Sequence, residues 1–280
     1  MKRKAQKKSL NSQIMHILIT NDDGYTSKGL QALIEMARQF GDITIVAPQY
    51  PQSAMSNAVS IGKLLRMVPV GNPDGFPEKG IQRYYCSGTP VDCVKMALNL
   101  LFDTRRPDLL LSGINHGFNG SSAVLYSGTL AATREGALYK IPSLAFSLND
   151  HHANADFSAS IYYGKQIIEK FIESPPAPFT YVNVNIPQGS IDEIRGIRLC
   201  RFGMGAWIKE IETRMDPYGY PYYWMVGEYE NLEPNEPECD HNLLEQHYVT
   251  IVPHKIDNTN YPELERLKEV WKDLTRDRET

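Results

Sequence analysis

Short unbroken apolar runs alternate along this chain with stretches in which apolar residues return every three or four positions, the signatures of buried strands and amphipathic helices. Ile14 to Thr20 is the first such run. Leu30, Leu33, Ile34, Ala37 and Phe40 then trace one helical face, with Ser27 as N-cap and Gly41 as the stop. Ile43 to Ala47 reads as a second buried strand ended by Pro48, so the chain opens as a unit that lays its strands parallel. A Pro/Gly-rich excursion, Pro69 to Gly80, leads to a strand over Ile81 to Tyr85, and Thr89-Pro90 with Asp92 starts the next helix. Leu109-Leu110-Leu111 is a short strand followed by the loop Ser112 to Gly120. Tyr126-Ser127-Gly128-Thr129 opens a helix over Leu130 to Tyr139, and the strand Ser143 to Ser147, the helix Phe157 to Ile172 and the strand Tyr181 to Ile186 continue the alternation.

This order predicts an α/β fold with a doubly wound, mostly parallel sheet. Beyond Pro187 the pattern gives way to Tyr- and Pro-rich pieces, Asp216 to Trp224 and Tyr248 to Val252, which predict hairpins. Asn231 to Glu238 reads as an exposed loop and Pro262 to Arg276 as a terminal helix. The divisions are a disordered basic leader over residues 1–13, a core over 14–187 and a C-terminal region over 188–280.

Composition narrows the function classes. A chain of 280 residues with 42% hydrophobic positions can bury a substantial core. The net charge is -4 although Lys2, Arg3, Lys4, Lys7 and Lys8 crowd the start, so the body is more acidic still and is not expected to bind nucleic-acid polymers. No apolar stretch is long enough to span a bilayer, and no apolar segment of the signal-peptide kind follows the basic start; neither a membrane span nor a signal peptide is expected. Cys86, Cys93, Cys200 and Cys239 are scattered without C-x-x-C spacing, which predicts reduced thiols and a cytoplasmic location. Neither G-x-G-x-x-G nor a Walker loop occurs.

Candidate chemistry gathers at strand ends. Asn21-Asp22-Asp23-Gly24 follows the first strand, where open α/β sheets place their sites. Adjacent carboxylates repel, and a cation between them would explain their convergence; turn formation and helix capping are the competing explanations. A right-handed crossover brings the loop Gln49 to Ser60 out on the same sheet edge. The Ser112 to Gly120 loop and the helix start at Ser127-Gly128-Thr129 both offer backbone N–H groups to an anion. Among the histidines, His116 in the Asn-rich loop is the best outside candidate for general acid, set against an ordinary packed or exposed histidine. His241 and His247 could reach the site from the C-terminal region, and His151-His152 reads as surface loop.

Three ordered blocks, I-L-I-T-N-D-D-G, S-G-I-N-H-G-x-N and Y-S-G-T-x-x-A-x-x-E-G, resemble the SurE family of survival-protein 5′-nucleotidases. Further matches at Ala47 to Ser53, Ser87 to Val94, Asn183 to Pro187, Asp216 to Trp224 and Tyr248 to Pro253 extend the resemblance over roughly residues 14 to 257. The resemblance implies a Rossmann-like metallophosphatase core and a C-terminal β-hairpin arm used in homodimer or homotetramer contacts. It implies hydrolysis of nucleoside 5′-monophosphates by metal-activated water. Carried over by position, Asp22, Asp23, Ser53 and Asn115 would bind one divalent cation per subunit. Asp22 and Asp23 would be the catalytic pair, and Asn119, Ser127, Gly128 and Thr129 would hold the phosphate. Such an all-oxygen donor set suits Mg²⁺ or Mn²⁺ better than zinc. Base and sugar preference, 3′-nucleotidase activity and exopolyphosphatase activity stay open. A haloacid-dehalogenase-type mechanism fits poorly, because it needs D-x-D rather than adjacent aspartates. The remaining alternatives are a nucleotide- or phosphate-sensing module without turnover and a Tyr/Pro-rich arm that serves as an interaction platform, though aromatic hairpins more often lie in their own oligomer interface. Some positions depart from the family pattern: Ala54 stands where glycine is usual, Gly120-Ser121-Ser122-Ala123 lacks an acidic residue, and Arg134 replaces an apolar helix residue.

Overall fold

A computed structural model describes residues 14–71 and 78–274; the basic leader, the middle of the Pro/Gly-rich excursion and the last predicted helical residues lie outside the described residues. β1 (His16–Thr20) leads through the Asp22-Asp23 loop to α1 (Lys28–Ala37), capped as expected by Ser27, whose Oγ accepts from Leu30 N–H. The helix ends at Arg38, before Gly41. Gly41 is instead required by close packing, since a side chain there would meet the Met15 carbonyl. β2 (Asp42–Pro48), an edge strand β3 (Met67–Pro69) and β4 (Ile81–Cys86) follow, then α2 (Pro90–Leu100) with a complete capping box between Thr89 and Asp92.

β5 (Leu109–His116) is longer than its apolar triplet, and the first half of the predicted Ser112–Gly120 loop belongs to it. Pairing with β1 ends at Ser112, but β6 extends it as far as His116 across a register shift between Ser112 and Asn115, an irregularity of the kind that bends a strand locally. A short 3-10 turn (Ser121–Leu125), α3 (Gly128–Leu138), β6 (Ser143–Asn149), α4 (Ser158–Glu173) and β7 (Thr180–Pro187) complete the alternation. The C-terminal region holds β8 (Gly196–Leu199), β9 (Gly205–Ile208), the hairpin β10 (Ile211–Met215) and β11 (Pro221–Met225), β12 (Glu228–Asn231), a short unexpected helix α5 (Asp240–Glu245), β13 (Tyr248–Lys255) and α6 (Tyr261–Val270).

The main sheet runs β3-β4-β2-β1-β5-β6-β7-β13-β8. Strands β4 to β7 are parallel, as an α/β winding requires, and β13 joins antiparallel to β7 with β8 parallel beside it. The chain winds outward in both directions from β1 and β5, so the crevice beyond their carboxyl ends is the switch point at which such sheets bind ligands. Ile17, Ile19, Leu109 and Leu111 face the layer of α1 and α4, whereas Leu18 and Leu110 face that of α2. Burial on both faces is why these strands read as unbroken apolar runs.

Candidate active site

Asp22 emerges from β1 only 5% exposed. Its carboxylate accepts from the Thr129 hydroxyl, and its backbone carbonyl accepts from Gln52 N–H at 2.7 Å, which places Ser53 one residue from the pair. Ser53 itself is exposed. Asp23 is half-buried, and its Oδ2 accepts from His116 N–H at 3.2 Å, tying it to the end of β5. Asn21 braces this loop from within, donating through Nδ2 to Gly24 O at 2.9 Å and Ser27 Oγ at 2.8 Å.

Burial first, and then the charge of Asp23, push the Asp22 carboxyl up to about 7, against hydrogen bonds from Thr129 that lower it. Burial also raises Asp23. Two carboxylates held this way are costly when both are ionised, and a cation is the natural remedy. Asn115 fits that role. Its Nδ2 donates to the carbonyls of Gly117 (2.8 Å) and His116 (3.3 Å), which occupies the amide nitrogen and leaves Oδ1 as the atom that could ligate a cation. Among the described residues no three His, Cys, Asp or Glu side chains converge; a cation held here would rest on two carboxylates supplemented by neutral oxygens, a donor set that suits a hard cation.

The first turn of α3 packs directly on Asp22. A Cβ at Gly128 would stand 2.9 Å from Asp22 Cβ, 3.0 Å from its Oδ2 and 3.1 Å from Pro90 Cγ, so only glycine allows the approach. Ser127 caps the helix through Leu130 N–H at 3.1 Å. The Ser127 N–H donates to Ala123 O at 3.1 Å and a Thr129 main-chain hydrogen bond goes to Asp22, which leaves the Gly128 N–H and the positive end of the helix dipole beside the carboxylates.

Asn119 is buried, and its side chain points into the fold. Its Nδ2 donates to Ser147 Oγ at 2.9 Å, its N–H to Asn185 Oδ1 at 2.8 Å, and its carbonyl accepts from Asn183 at 2.6 Å. Sequence reasoning gave no role to Ser147, Asn183 or Asn185; polar side chains alternating within the buried strand Thr180–Pro187 were the available signal. His116 packs edge-on against Phe157, with ring centroids 5.1 Å apart. His241 reaches the site loop through Phe118 at 5.6 Å and packs on Tyr229 of β12 at 4.6 Å, whereas His247 sits in the turn before β13. His151 is exposed as expected, its ring lying over Gly117.

The departures from the family pattern acquire explanations. Ala54 occupies the left-handed region at φ 59°, so the turn keeps its shape with alanine in it. No acidic side chain stands at 120–123, yet the Asp240 carboxylate of α5 accepts from Ser121 N–H at 3.1 Å. Arg134 donates to Tyr181 OH at 3.2 Å and lies over that ring. Burial and Arg134 together lower His254 to about 4.

Comparison with known proteins identifies the family and the fold. Residues 17–209 match the family model of survival protein SurE. The chain is 43% identical over 256 residues to the 5′-nucleotidase SurE of Cytophaga hutchinsonii, covering 91% of this chain and 96% of that one. It is 40% identical to the 5′-nucleotidase SurE of Flavobacterium johnsoniae with the same coverage. The crystal structure of the SurE protein from Aquifex aeolicus superposes with a TM-score of 0.77 at 32% identity, over 91% of this chain and 99% of that chain. Matched in sequence over most of its length, and in fold by a solved relative, this chain belongs to the SurE family.

Proposed function

We propose that this chain is a 5′-nucleotidase that hydrolyses nucleoside 5′-monophosphates to nucleoside and phosphate, with Asp22, Asp23, Ser53 and Asn115 holding one Mg²⁺ or Mn²⁺ per subunit. The observation that carries this reading is the burial of Asp22 beside Asp23 with the first turn of α3 packed against it. The names of the relatives support the substrate class. When bound, the cation offsets the paired carboxylates, polarises a phosphoryl oxygen and lowers the pKa of water.

The protein groups do the rest. Thr129 and His116 fix the two carboxylates, so the ligand geometry is set before substrate arrives. The phosphate rests on the first turn of α3 at Ser127, Gly128 and Thr129, where the Gly128 N–H and the positive end of the helix meet charge developing on the non-bridging oxygens; the Ser127 N–H is already bound to Ala123 O at 3.1 Å. Asn119 braces this cradle from beneath through Ser147 and Asn185. Asp23, the more accessible carboxylate, accepts the proton of the attacking water.

Residues 14–187 carry this chemistry and residues 188–280 serve assembly into a homodimer or homotetramer. Support comes from Met215, Tyr222, Trp224 and Met225 on the β10–β11 hairpin, all exposed, and from α6, which buries no residue. Four free cysteines support work in the reducing cytoplasm. The test is phosphate release from a nucleoside 5′-monophosphate with Mn²⁺, with and without chelator, beside Asp23→Asn. Turnover lost in the variant and under chelation is expected; nucleotide binding without wild-type turnover would make the chain a sensor instead. Light scattering should give a mass of at least two chains.

A further inference from the structure

We propose that Asp240 is a positioning residue for the phosphate cradle, holding the Asn119–Ser121 loop in place from the C-terminal arm. This rests on the reading of Ser127–Thr129 as the phosphate site. Asp240 begins α5, is fully buried, and spends its carboxylate on three main-chain donors. Oδ2 accepts from Ser121 N–H at 3.1 Å, and Oδ1 from Gly203 N–H at 3.0 Å and His241 N–H at 2.8 Å. A buried carboxylate is stable only when its lone pairs are filled, so these three segments are bound to one point. The carboxylate threads between two glycines. A Cβ at Gly120 would stand 2.7 Å from Oδ2, and one at Gly203 would stand 2.9 Å from Oδ1.

Both ends of this link are informative. On the arm side Asp240 is rigidly placed: its N–H donates to Arg201 O at 3.0 Å, and Arg201 forks onto Glu233 at 2.9 and 3.0 Å. Glu233 also accepts from Met204 N–H at 2.7 Å, and Asn242 donates to the Glu233 and Glu236 carbonyls at 2.9 and 2.7 Å. On the site side Ser121 sits at φ 47°, a conformation that a serine adopts at a cost and that needs an external hold. Two residues before it is Asn119, and the 3-10 turn it opens delivers Ser127 and the first turn of α3. The arm thereby sets where the cradle stands relative to Asp22.

The test is Asp240→Asn in the full-length chain. Whichever way the amide turns, its NH₂ group meets a main-chain N–H, so the three donors cannot all be satisfied. With Mn²⁺ present, KM for a nucleoside monophosphate and the inhibition constant of inorganic phosphate should both rise about tenfold. Mn²⁺ affinity by calorimetry should change by less than about twofold, because the carboxylate pair is untouched. Gly203→Ala crowds the carboxylate from the arm and should move the same two constants in the same direction; it decides the matter if Asp240→Asn does not fold. A fall in kcat that merely tracks the folded fraction, with KM and phosphate inhibition unchanged, overturns the proposal. Failure of the underlying reading registers separately, as wild-type protein that neither binds Mn²⁺ nor releases phosphate.

Discussion

Replacing Asp22 with asparagine should make the metal-free protein more stable while abolishing its activity. The Asp22 carboxyl is raised from 3.8 to about 7 in the folded chain, so the native state holds a proton that the unfolded state has released. Stability therefore falls as pH rises from 3.8 through 7, and above 7 the full cost applies. Three pH units correspond to about 4 kcal/mol. Asparagine has no charge to desolvate, and its Oδ1 can still accept from Thr129. In chelator at about pH 8.5 the variant should melt roughly 8 °C above wild type, and the gap should shrink to less than half by about pH 5. His254 titrates in the opposite sense, losing stability as pH falls from 6.5 towards 4, but it is common to both proteins and cancels in the difference. Adding Mn²⁺ should raise the wild-type melting point and leave the variant where it was, with turnover at least about a hundredfold lower. If the chelated variant is no more stable than wild type at high pH, or the gap ignores pH, Asp22 is not a strained carboxylate awaiting a cation and the central argument is wrong.

Gly128→Ala should cost about 1–3 kcal/mol and lower kcat/KM at least about a hundredfold by pushing α3 off Asp22; unaltered kinetics would show that the close approach is unimportant. Thr89→Ala removes the capping box of α2 and a 2.7 Å bond to Ala58 O, so calorimetry should record a loss of about 1–2 kcal/mol, and an unchanged melt would contradict the cap. Ala54→Gly relieves a left-handed alanine and should stabilise by about 0.5–1 kcal/mol once the freedom of glycine in the unfolded chain is subtracted; denaturant titration showing destabilisation would refute the strain.

Much of the site was legible because its signals are local. Asp22 and Asp23 are neighbours at a strand end, and Ser127 caps the helix that begins at the next residue. Asn119 was legible as a site-loop residue but not in its orientation, which depends on Ser147 and Asn185, brought beside it by parallel strands. Asp240 carried no signal at all, lying 119 positions from Ser121.

The alternation of apolar runs and helical periodicity determined the α/β winding, and residues within one turn determined the caps at Ser27, Thr89 and Ser127, because periodicity and capping act over a few positions. Tertiary structure decided the length of β5, where β6 on one side carried pairing through Asn115 to His116, beyond the last β1 pair at Ser112, despite glycine and polar side chains. It also decided that Gly41 is a packing glycine, and that β13 turns back antiparallel on β7 and brings β8 into the sheet. Those outcomes depend on which distant backbones approach and which buried polar groups must be satisfied, and no short stretch of chain contains that information.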